Sequence, residues 1–232
     1  MRARWTAIVT ALLMMAGVAQ AQDRLVVVEL FTSQGCSSCP PADALLGELA
    51  ARDDVLPLAL HVDYWDYIGW KDDFADPAHT TRQKAYARVK GDRTIYTPQM
   101  IVGGTDHVIG YKPMKLAMTI EKHADTAEAV DVTVTRNGNR IRVIAQPQGN
   151  VDGPAMIHLV AYRPESTVDI RRGENRGRTL TYHNVVTQMV DLGAWDGRGR
   201  HTVSADVPGD GPYAVLIQRT GHGPILGAAR VP

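Results

Sequence analysis

The sequence reads TSQGCSSCPP from Thr32 to Pro41, and this stretch contains the only two cysteines of the 232-residue chain, spaced Cys-x-x-Cys. An apolar run, LVVVELF, ends immediately before it, and apolar residues recur at three- and four-residue steps after it. This pattern predicts a strand, a tight turn and a helix, with Cys36 and Cys39 on the turn. Because the N-terminus of a helix has unpaired N–H groups, we expect a thiolate there to be stabilised and its pKa lowered.

A Cys-x-x-Cys pair is compatible with a redox-active dithiol, an inert structural disulfide or part of a metal site. A structural zinc site needs four ligands, and the chain has no second cysteine pair and no His-x-x-x-His spacing among its eight histidines. A disulfide that closes so short a loop adds little stability through chain entropy. These observations favour the redox-active dithiol and leave the other two interpretations open.

The N-terminus is typical of a secretory signal peptide. Arg2 and Arg4 are followed by apolar residues 6–18 and by an A-x-A site that ends at Ala21. We therefore predict that residues 1–21 are a signal peptide and that the mature chain is periplasmic or secreted. The apolar run is shorter than the roughly 18 to 20 residues of a membrane span, so no stable span is expected after cleavage.

Charge gives little reason to expect nucleic-acid binding or a polybasic membrane patch. The whole chain has 25 basic and 25 acidic residues, and the loss of two signal-peptide arginines would take the balance to about −2. The densest charged run is RRGENRGR, residues 171–178. A solvated loop is favoured for this run, with an anion site or a contact with the first half of the chain as alternatives.

The first half of the chain alternates strand and helix patterns in the order β-α-β-α-β-β-α. One helix begins at Asp76-Pro77, an N-cap followed by proline, and ends at Gly91. Pro98 stands at the entry to a strand that ends in a glycine turn. The predicted strands cover 25–31, 55–62, 96–104 and 108–111, and the predicted helices cover 42–50, 77–90 and 113–123.

From about residue 129 the pattern becomes all-β. Residues 130–135 and 140–145 alternate apolar and polar side chains around Asn137-Gly138, the strongest short hairpin signal. Five further β-like runs follow, which predicts a sandwich of about seven short strands. We therefore divide the mature chain into a first domain, residues 22–128, and a β-sandwich-like domain, residues 129–232.

The element order over residues 24 to 125, with the cysteine pair between the first strand and helix, resembles the thioredoxin fold. The stretches ELFTSQGCSSCPPAD and HVDYWD are most similar to a family of exported bacterial thioredoxin-like proteins of unknown function. This resemblance covers the mature chain. It implies a fold and a compartment but no substrate. Together with the β pattern from residue 129, it predicts an α/β chain in which a thioredoxin-like domain is followed by a C-terminal all-β, sandwich-like domain.

The resemblance also implies roles for single residues. Pro98, after Thr97, matches the cis-proline that opens the third core strand and lies against the dithiol. Glu29 is near the position of a buried proton acceptor, with a rim or salt-bridged glutamate as the alternative. The chain departs from thioredoxin at Gly35, where that family has tryptophan, and at Ser37-Ser38, where it has Gly-Pro.

Two further groups of side chains follow the second predicted strand. Trp65 and Trp70, with Thr97, are candidates for binding a substrate peptide, because ligands of open α/β sheets gather at the carboxyl ends of the strands. Packing of these aromatics within the protein is the alternative. His61 and Asp63 are candidates for a proton relay or, alternatively, for a structural pair.

The sequence thus predicts an exported thiol–disulfide oxidoreductase. Cys36, expected to be the more exposed sulfur, would attack a protein or small thiol or disulfide, and Cys39 would resolve the mixed disulfide. Pro98 would present the partner strand, and no bound cofactor is required. One alternative is a Cu(I)-binding protein or metallochaperone that adds Met100 or His61 to the cysteines. The other is a non-catalytic binding module in which the β-domain is the working part.

Overall fold

The computed structural model describes residues 25–126, 128–209 and 211–232. The predicted signal peptide lies outside these ranges. The strands are β1 Val26–Thr32, β2 Val55–His61, β3 Gln99–Val102, β4 Asp106–Ile109, β5 Val130–Asn137, β6 Arg140–Pro147, β7 Ala155–Asp169, β8 Thr179–Trp195, β9 His201–Asp206, β10 Tyr213–Arg219 and β11 Ile225–Arg230. The helices are α1 Pro40–Ala50, α2 Pro77–Lys90 and α3 Pro113–Ala124, with a 3₁₀ turn at Asp66–Ile68.

The strands form one large mixed sheet and one small antiparallel sheet. The large sheet has the order β11-β10-β7-β8-β2-β1-β3-β4, and the small one has the order β5-β6-β9. Strand β1 is parallel to β2 and antiparallel to β3. The predicted order of elements in the first half is therefore confirmed, and the protein is a mixed α/β molecule dominated by the large sheet.

The large sheet does not stop at the boundary that the sequence predicts near residue 129. All seven predicted β-rich runs form strands, but β7, β8, β10 and β11 extend the sheet of the first half. The junction is a parallel contact in which Ala59 of β2 is paired with Val185 of β8. Strand β2 is buried along its whole length, so β8 covers an edge that would otherwise be apolar and unpaired.

The junction between β2 and β8 is shaped by a proline. Pro57 lies in the middle of β2 and has no N–H group to donate to a neighbouring strand. Its carbonyl oxygen accepts a hydrogen bond of 2.9 Å from the side chain of Asn184, whose φ is +47°. A side chain of β8 therefore satisfies a backbone group of β2 beside the short ladder.

Strand β1 is apolar on both faces because both are covered. Val28 and Leu30 pack in a cluster with residues of α1 and α3. Val27 and Phe31 point to the other face and pack in a cluster that includes Tyr86 of α2. A third cluster lies between the two sheets. The end of β1, where the cysteine turn begins, is therefore fixed from both sides.

Across the described ranges, no helix combines the length and the apolar character that crossing a membrane requires.

Candidate functional site

The two cysteines form a disulfide at the turn between β1 and α1. Their Cα atoms are 5.4 Å apart, and Cys39 is the N-cap of α1. The turn is closed by two backbone hydrogen bonds, from Cys36 N–H to the Ser33 oxygen and from Cys39 N–H to the Cys36 oxygen. The predicted strand, turn and helix are therefore present, and the pair lies at the helix N-terminus.

Cys36 is not the more exposed sulfur-bearing residue in this oxidised chain. Both cysteines have a relative accessibility of 0%. The prediction of a more exposed Cys36 is wrong for this chain, because the connection between β7 and β8 lies over the turn. For the charged run of this connection, a contact with the first half of the chain was the alternative to a solvated loop. Asn175 of this connection donates hydrogen bonds of 2.9 Å to the Gln34 and Cys36 carbonyl oxygens.

A buried polar cluster lies on the α1 side of the sheet, beside the cysteine turn. Asp43 is one helical turn after Cys39, and its N–H donates to the Cys39 oxygen. Since positions four apart share a helix face, the Asp43 carboxyl lies on the face of Cys39. The Thr32 hydroxyl donates to Asp43 Oδ1 at 2.7 Å. His61, from the neighbouring strand end, hydrogen-bonds Asp72 Oδ2 through Nδ1 at 2.7 Å.

The pKa values of the two aspartates of this cluster are shifted in opposite directions. Burial raises the pKa of Asp43 to about 7, against the opposing effects of His61 and of the Thr32 hydrogen bond. Burial also acts on Asp72, but His61 and the N–H groups of Gln34 and Phe74 outweigh it and lower its pKa. Asp72 is therefore the permanent carboxylate, and Asp43 is the group that exchanges protons near neutral pH.

Three atoms of this cluster have no hydrogen-bond partner among the described residues. They are Asp43 Oδ2, His61 Nε2 and the hydroxyl of Tyr182. All three residues are at least 95% buried. The rings of His61 and Tyr182 contact each other edge to face, with centroids 4.9 Å apart. Most buried polar atoms in folded proteins have a hydrogen-bond partner, so these three atoms set the cluster apart from the apolar core around it.

Glu29 is not placed to exchange protons with the cysteines. Side chains alternate along a strand, and Glu29 lies on the face of β1 that packs against α2. It forms a buried ion pair with Arg82 at 2.6 Å and accepts a hydrogen bond from the Tyr86 hydroxyl. Arg82 also donates to Gln218 of β10 at 2.9 Å. The proposed catalytic role of Glu29 is replaced by its alternative, a salt-bridged glutamate that ties β1, α2 and β10 together.

His61 and Asp63, predicted as a proton relay or a structural pair, have different hydrogen-bond partners. Asp63 accepts a hydrogen bond from the Thr80 hydroxyl of α2. His61 pairs with Asp72, whose carboxylate can only accept, so Nδ1 carries the proton. Asp72 also accepts from the Gln34 N–H at 2.8 Å. The histidine is thus linked directly to the backbone of the cysteine turn.

The predicted aromatic residues do border this turn. A side-chain carbon added to Gly35 would lie 3.2 Å from Cβ of Trp65. The indole N–H of Trp65 donates to the Thr97 hydroxyl at 2.8 Å, and that of Trp70 donates to Gln34 Oε1 at 2.7 Å. Tyr67, which is 82% exposed, stacks on Trp65. Substrate binding by Trp65, Trp70 and Thr97 stays a prediction.

Pro98 opens β3, as the sequence predicts. The Thr97–Pro98 peptide bond is cis, and Pro98 is buried. Its carbonyl oxygen accepts a hydrogen bond of 2.9 Å from the Gly110 N–H. Trp65 contacts both Gly35 and Thr97. It therefore links the start of β3 to the cysteine turn.

The described residues hold no group of three or more His, Cys, Asp or Glu side chains arranged to bind a metal ion. Met100, a ligand of the copper alternative, is buried in the cluster of apolar residues beneath α1 and α3.

Sequence patterns indicate only part of this site. The spacing from Cys39 to Asp43 is the one signal that was available for the buried acid. Asp72, which pairs with His61, lies in an irregular segment between β2 and α2. Asn175 is far from the cysteine turn along the chain. Tyr182 lies beside His61 because its strand, β8, joins the large sheet. No local periodicity predicts these long-range contacts.

Comparison with known proteins gives a family but no activity. A family model described as a protein of unknown function, DUF1223, matches residues 27–218. A protein from Agrobacterium tumefaciens, solved by X-ray crystallography, is 34% identical over 91% of this chain and 96% of that one, with a TM-score of 0.78. A superoxide reductase from Nanoarchaeum equitans is 12% identical over 44% of this chain and 89% of that one. Its TM-score is 0.23, which is too low to indicate a shared fold. No curated protein matches the sequence significantly.

Proposed function

The chain belongs to the DUF1223 family of proteins of unknown function, and we propose that it is an exported thiol–disulfide oxidoreductase that works through Cys36 and Cys39. The observation that carries the proposal is a Cys-x-x-Cys disulfide at the N-terminus of α1, one helical turn from a buried carboxyl whose pKa is raised to about 7. A purely structural disulfide has no need of such a proton-exchanging group. Export is proposed from residues 1–21, which have the pattern of a signal peptide.

The strand order supports a thioredoxin-like fold for the first half. Within the large sheet, β2-β1-β3-β4 are neighbours, with β1 and β2 parallel and with β3 antiparallel to both β1 and β4. Helix α1 follows β1 directly after the cysteine turn, and a cis-proline precedes β3. These features agree with the resemblance found in the sequence.

The residues suggest how a partner dithiol would reduce the disulfide. A partner thiolate attacks Cys36 Sγ, the Cys36–Cys39 bond breaks, and its electron pair stays on Cys39. The protonated carboxyl of Asp43 gives its proton to the Cys39 thiolate as it leaves. The partner's second thiolate then attacks its own sulfur in the mixed disulfide, which releases Cys36 as thiolate and leaves the partner oxidised by two electrons.

The reverse reaction uses the same groups. Asp43, as carboxylate, takes the proton of the Cys39 thiol, and the resulting thiolate attacks Cys36 of a mixed disulfide. The Cys36–Cys39 bond forms and the partner leaves as a reduced thiolate. His61 and Asp72 hold the neighbouring buried polar groups in place, because Asp72 binds both His61 and the Gln34 N–H.

The proposal is tested by mixing the oxidised chain with 2-mercaptoethanol from pH 5 to pH 9 and following the disulfide by mass spectrometry after acid quenching. The rate divided by the thiolate concentration is expected to fall about tenfold between pH 6 and pH 8, because the protonated fraction of a group with a pKa near 7 falls by that factor. Asp43→Asn should remove this dependence, since an amide does not titrate in this range.

The matched control is Glu48→Gln, which neutralises an exposed carboxyl on the same helix. It should keep the wild-type profile. A pH profile in Asp43→Asn that is identical to that of the wild type would remove Asp43 from the reaction. Failure of the wild-type chain to exchange with any thiol at any of these pH values would refute the proposed function.

A further inference from the structure

The connection between β7 and β8, residues 170–178, lies over the cysteine turn, and we propose that it is a latch that must open before a partner reaches Cys36. This inference rests on the proposed function, because it concerns access to the same disulfide. The observation behind it is the full burial of both cysteines on the turn that leads from the carboxyl end of β1 into α1.

The tip of the latch is held on the turn by hydrogen bonds. Asn175 is 2% exposed, although its neighbours in sequence are exposed. Its side-chain nitrogen donates to the carbonyl oxygens of Gln34 and Cys36, both at 2.9 Å. The Glu174 carboxylate accepts from the Ser37 N–H at 3.3 Å. One asparagine thus satisfies two backbone oxygens of the turn that contains the first cysteine.

The latch also rests against the aromatic segment after β2. A side-chain carbon added to Gly173 would lie 3.3 Å from Cβ of Trp70 and 3.5 Å from Ile68. Gly173 has a φ of +75°, which glycine adopts without strain. Trp70 in turn donates to Gln34. The latch and the aromatic segment therefore close over the same turn from two sides.

The latch is built as a unit that can move about its base. Gly177 N–H donates to the Ile170 oxygen at 2.7 Å, and Ile170 N–H donates to the Arg178 oxygen at 2.9 Å. Arg178 also donates to Asn175 Oδ1 at 3.1 Å. These bonds join latch residues to one another, so opening leaves them intact. Among the described residues, the hydrogen bonds lost on opening are those of Asn175 and Glu174 with the turn.

Opening is therefore within reach of ordinary thermal motion. Each of these hydrogen bonds changes an equilibrium by about fivefold on average. Three hydrogen bonds and the packing of Gly173 against Trp70 and Ile68 hold the latch on the turn. Ligand-binding lids are drawn from segments that open locally in this way. In the closed state the disulfide is shielded from thiols and from protein surfaces, and in the open state Cys36 is accessible.

The test is the rate at which dithiothreitol reduces the disulfide of the full chain. Asn175→Ala removes two of the bonds and should raise the rate about tenfold or more at fixed pH. Glu174→Ala removes one weaker bond from an exposed residue and should raise the rate a few-fold. Asn150→Ala, which removes an exposed loop asparagine that donates to Asp152, should leave the rate unchanged.

Amide hydrogen exchange shows whether the faster reduction is local. In Asn175→Ala the amide of Ser37, which loses its Glu174 acceptor on opening, should exchange faster. The amides of Gly177, bonded within the latch, and of β1 should keep their wild-type protection. Reduction of both variants at the wild-type rate would overturn the latch. An equal loss of protection in β1 would do the same, because global unfolding would then explain the rate.

The outcome also separates the latch from the proposed function. If the variants speed reduction by dithiothreitol but neither they nor the wild type exchange with glutathione, the latch stands and the oxidoreductase proposal fails. If glutathione exchanges with the wild type as fast as with Asn175→Ala, the latch is overturned and the oxidoreductase proposal stands.

Discussion

Replacement of Cys36 by serine is expected to abolish thiol–disulfide exchange with glutathione, with a loss of at least about a thousandfold, because a serine hydroxyl is not ionised at neutral pH and forms no disulfide. Cys39→Ser should behave differently. Its Cys36 still attacks glutathione disulfide, but no second sulfur resolves the product, so the mixed disulfide accumulates on Cys36. Mass spectrometry of acid-quenched samples measures both results.

The control for these variants is Ser38→Ala. The Ser38 hydroxyl lies 3.4 Å from Cys36 Sγ in the same turn, so this variant changes the surroundings of the sulfur without removing it. It should keep its activity within a few-fold of the wild type. Accumulation of the mixed disulfide on Cys39 in Cys36→Ser, with none on Cys36 in Cys39→Ser, would reverse the roles that we assign.

Glu29→Ala is expected to lower the free energy of unfolding by about 3 to 5 kcal/mol, since it leaves the charge of Arg82 buried without its partner. The Glu29–Arg82 contact is fully buried on the glutamate side. Loss of Glu29 also removes the acceptor of the Tyr86 hydroxyl. Urea unfolding followed by fluorescence gives the change, and replacement of both partners by apolar residues should recover much of it.

A surface ion pair provides the matched control. Arg52 and Asp54 interact at 2.7 Å, with side chains 43% and 49% exposed. Breaking this pair with Asp54→Ala should cost less than about 1 kcal/mol, because water screens the charges. If Glu29→Ala and Asp54→Ala had the same unfolding midpoint, the buried pair would not be what ties β1, α2 and β10 together.

Sequence patterns predict the helices, strands and turns whose formation depends on residues close together in the chain. The apolar run before the cysteines, the three- and four-residue steps after them and the Asp76-Pro77 helix start all form the elements expected of them. The Asn-Gly turn between β5 and β6 is another case, because such a turn fixes a hairpin by itself. The strand–turn–helix unit of the cysteine pair is predictable for the same reason.

What the sequence does not predict depends on contacts between distant parts of the chain. Strand β8 was expected in a separate sandwich, but it joins β2 because that strand has an apolar edge to cover. Glu29 was expected beside the cysteines, but strand alternation turns it toward α2. Asn175 lies in a charged run for which a solvated loop was favoured and a contact with the first half of the chain was an alternative. The structure has that contact, and it depends on where β7 and β8 place the run.

The most direct test of the central claim is the equilibrium reduction potential of the Cys36–Cys39 pair, measured in glutathione buffers with acid quenching and mass spectrometry. A redox-active pair should titrate reversibly within the range of known Cys-x-x-Cys dithiols, about −270 to −120 mV. A structural disulfide stays oxidised throughout, with a potential below about −300 mV. That second result, or reduction only under unfolding conditions, would contradict the assignment of Cys36 and Cys39 as a catalytic pair.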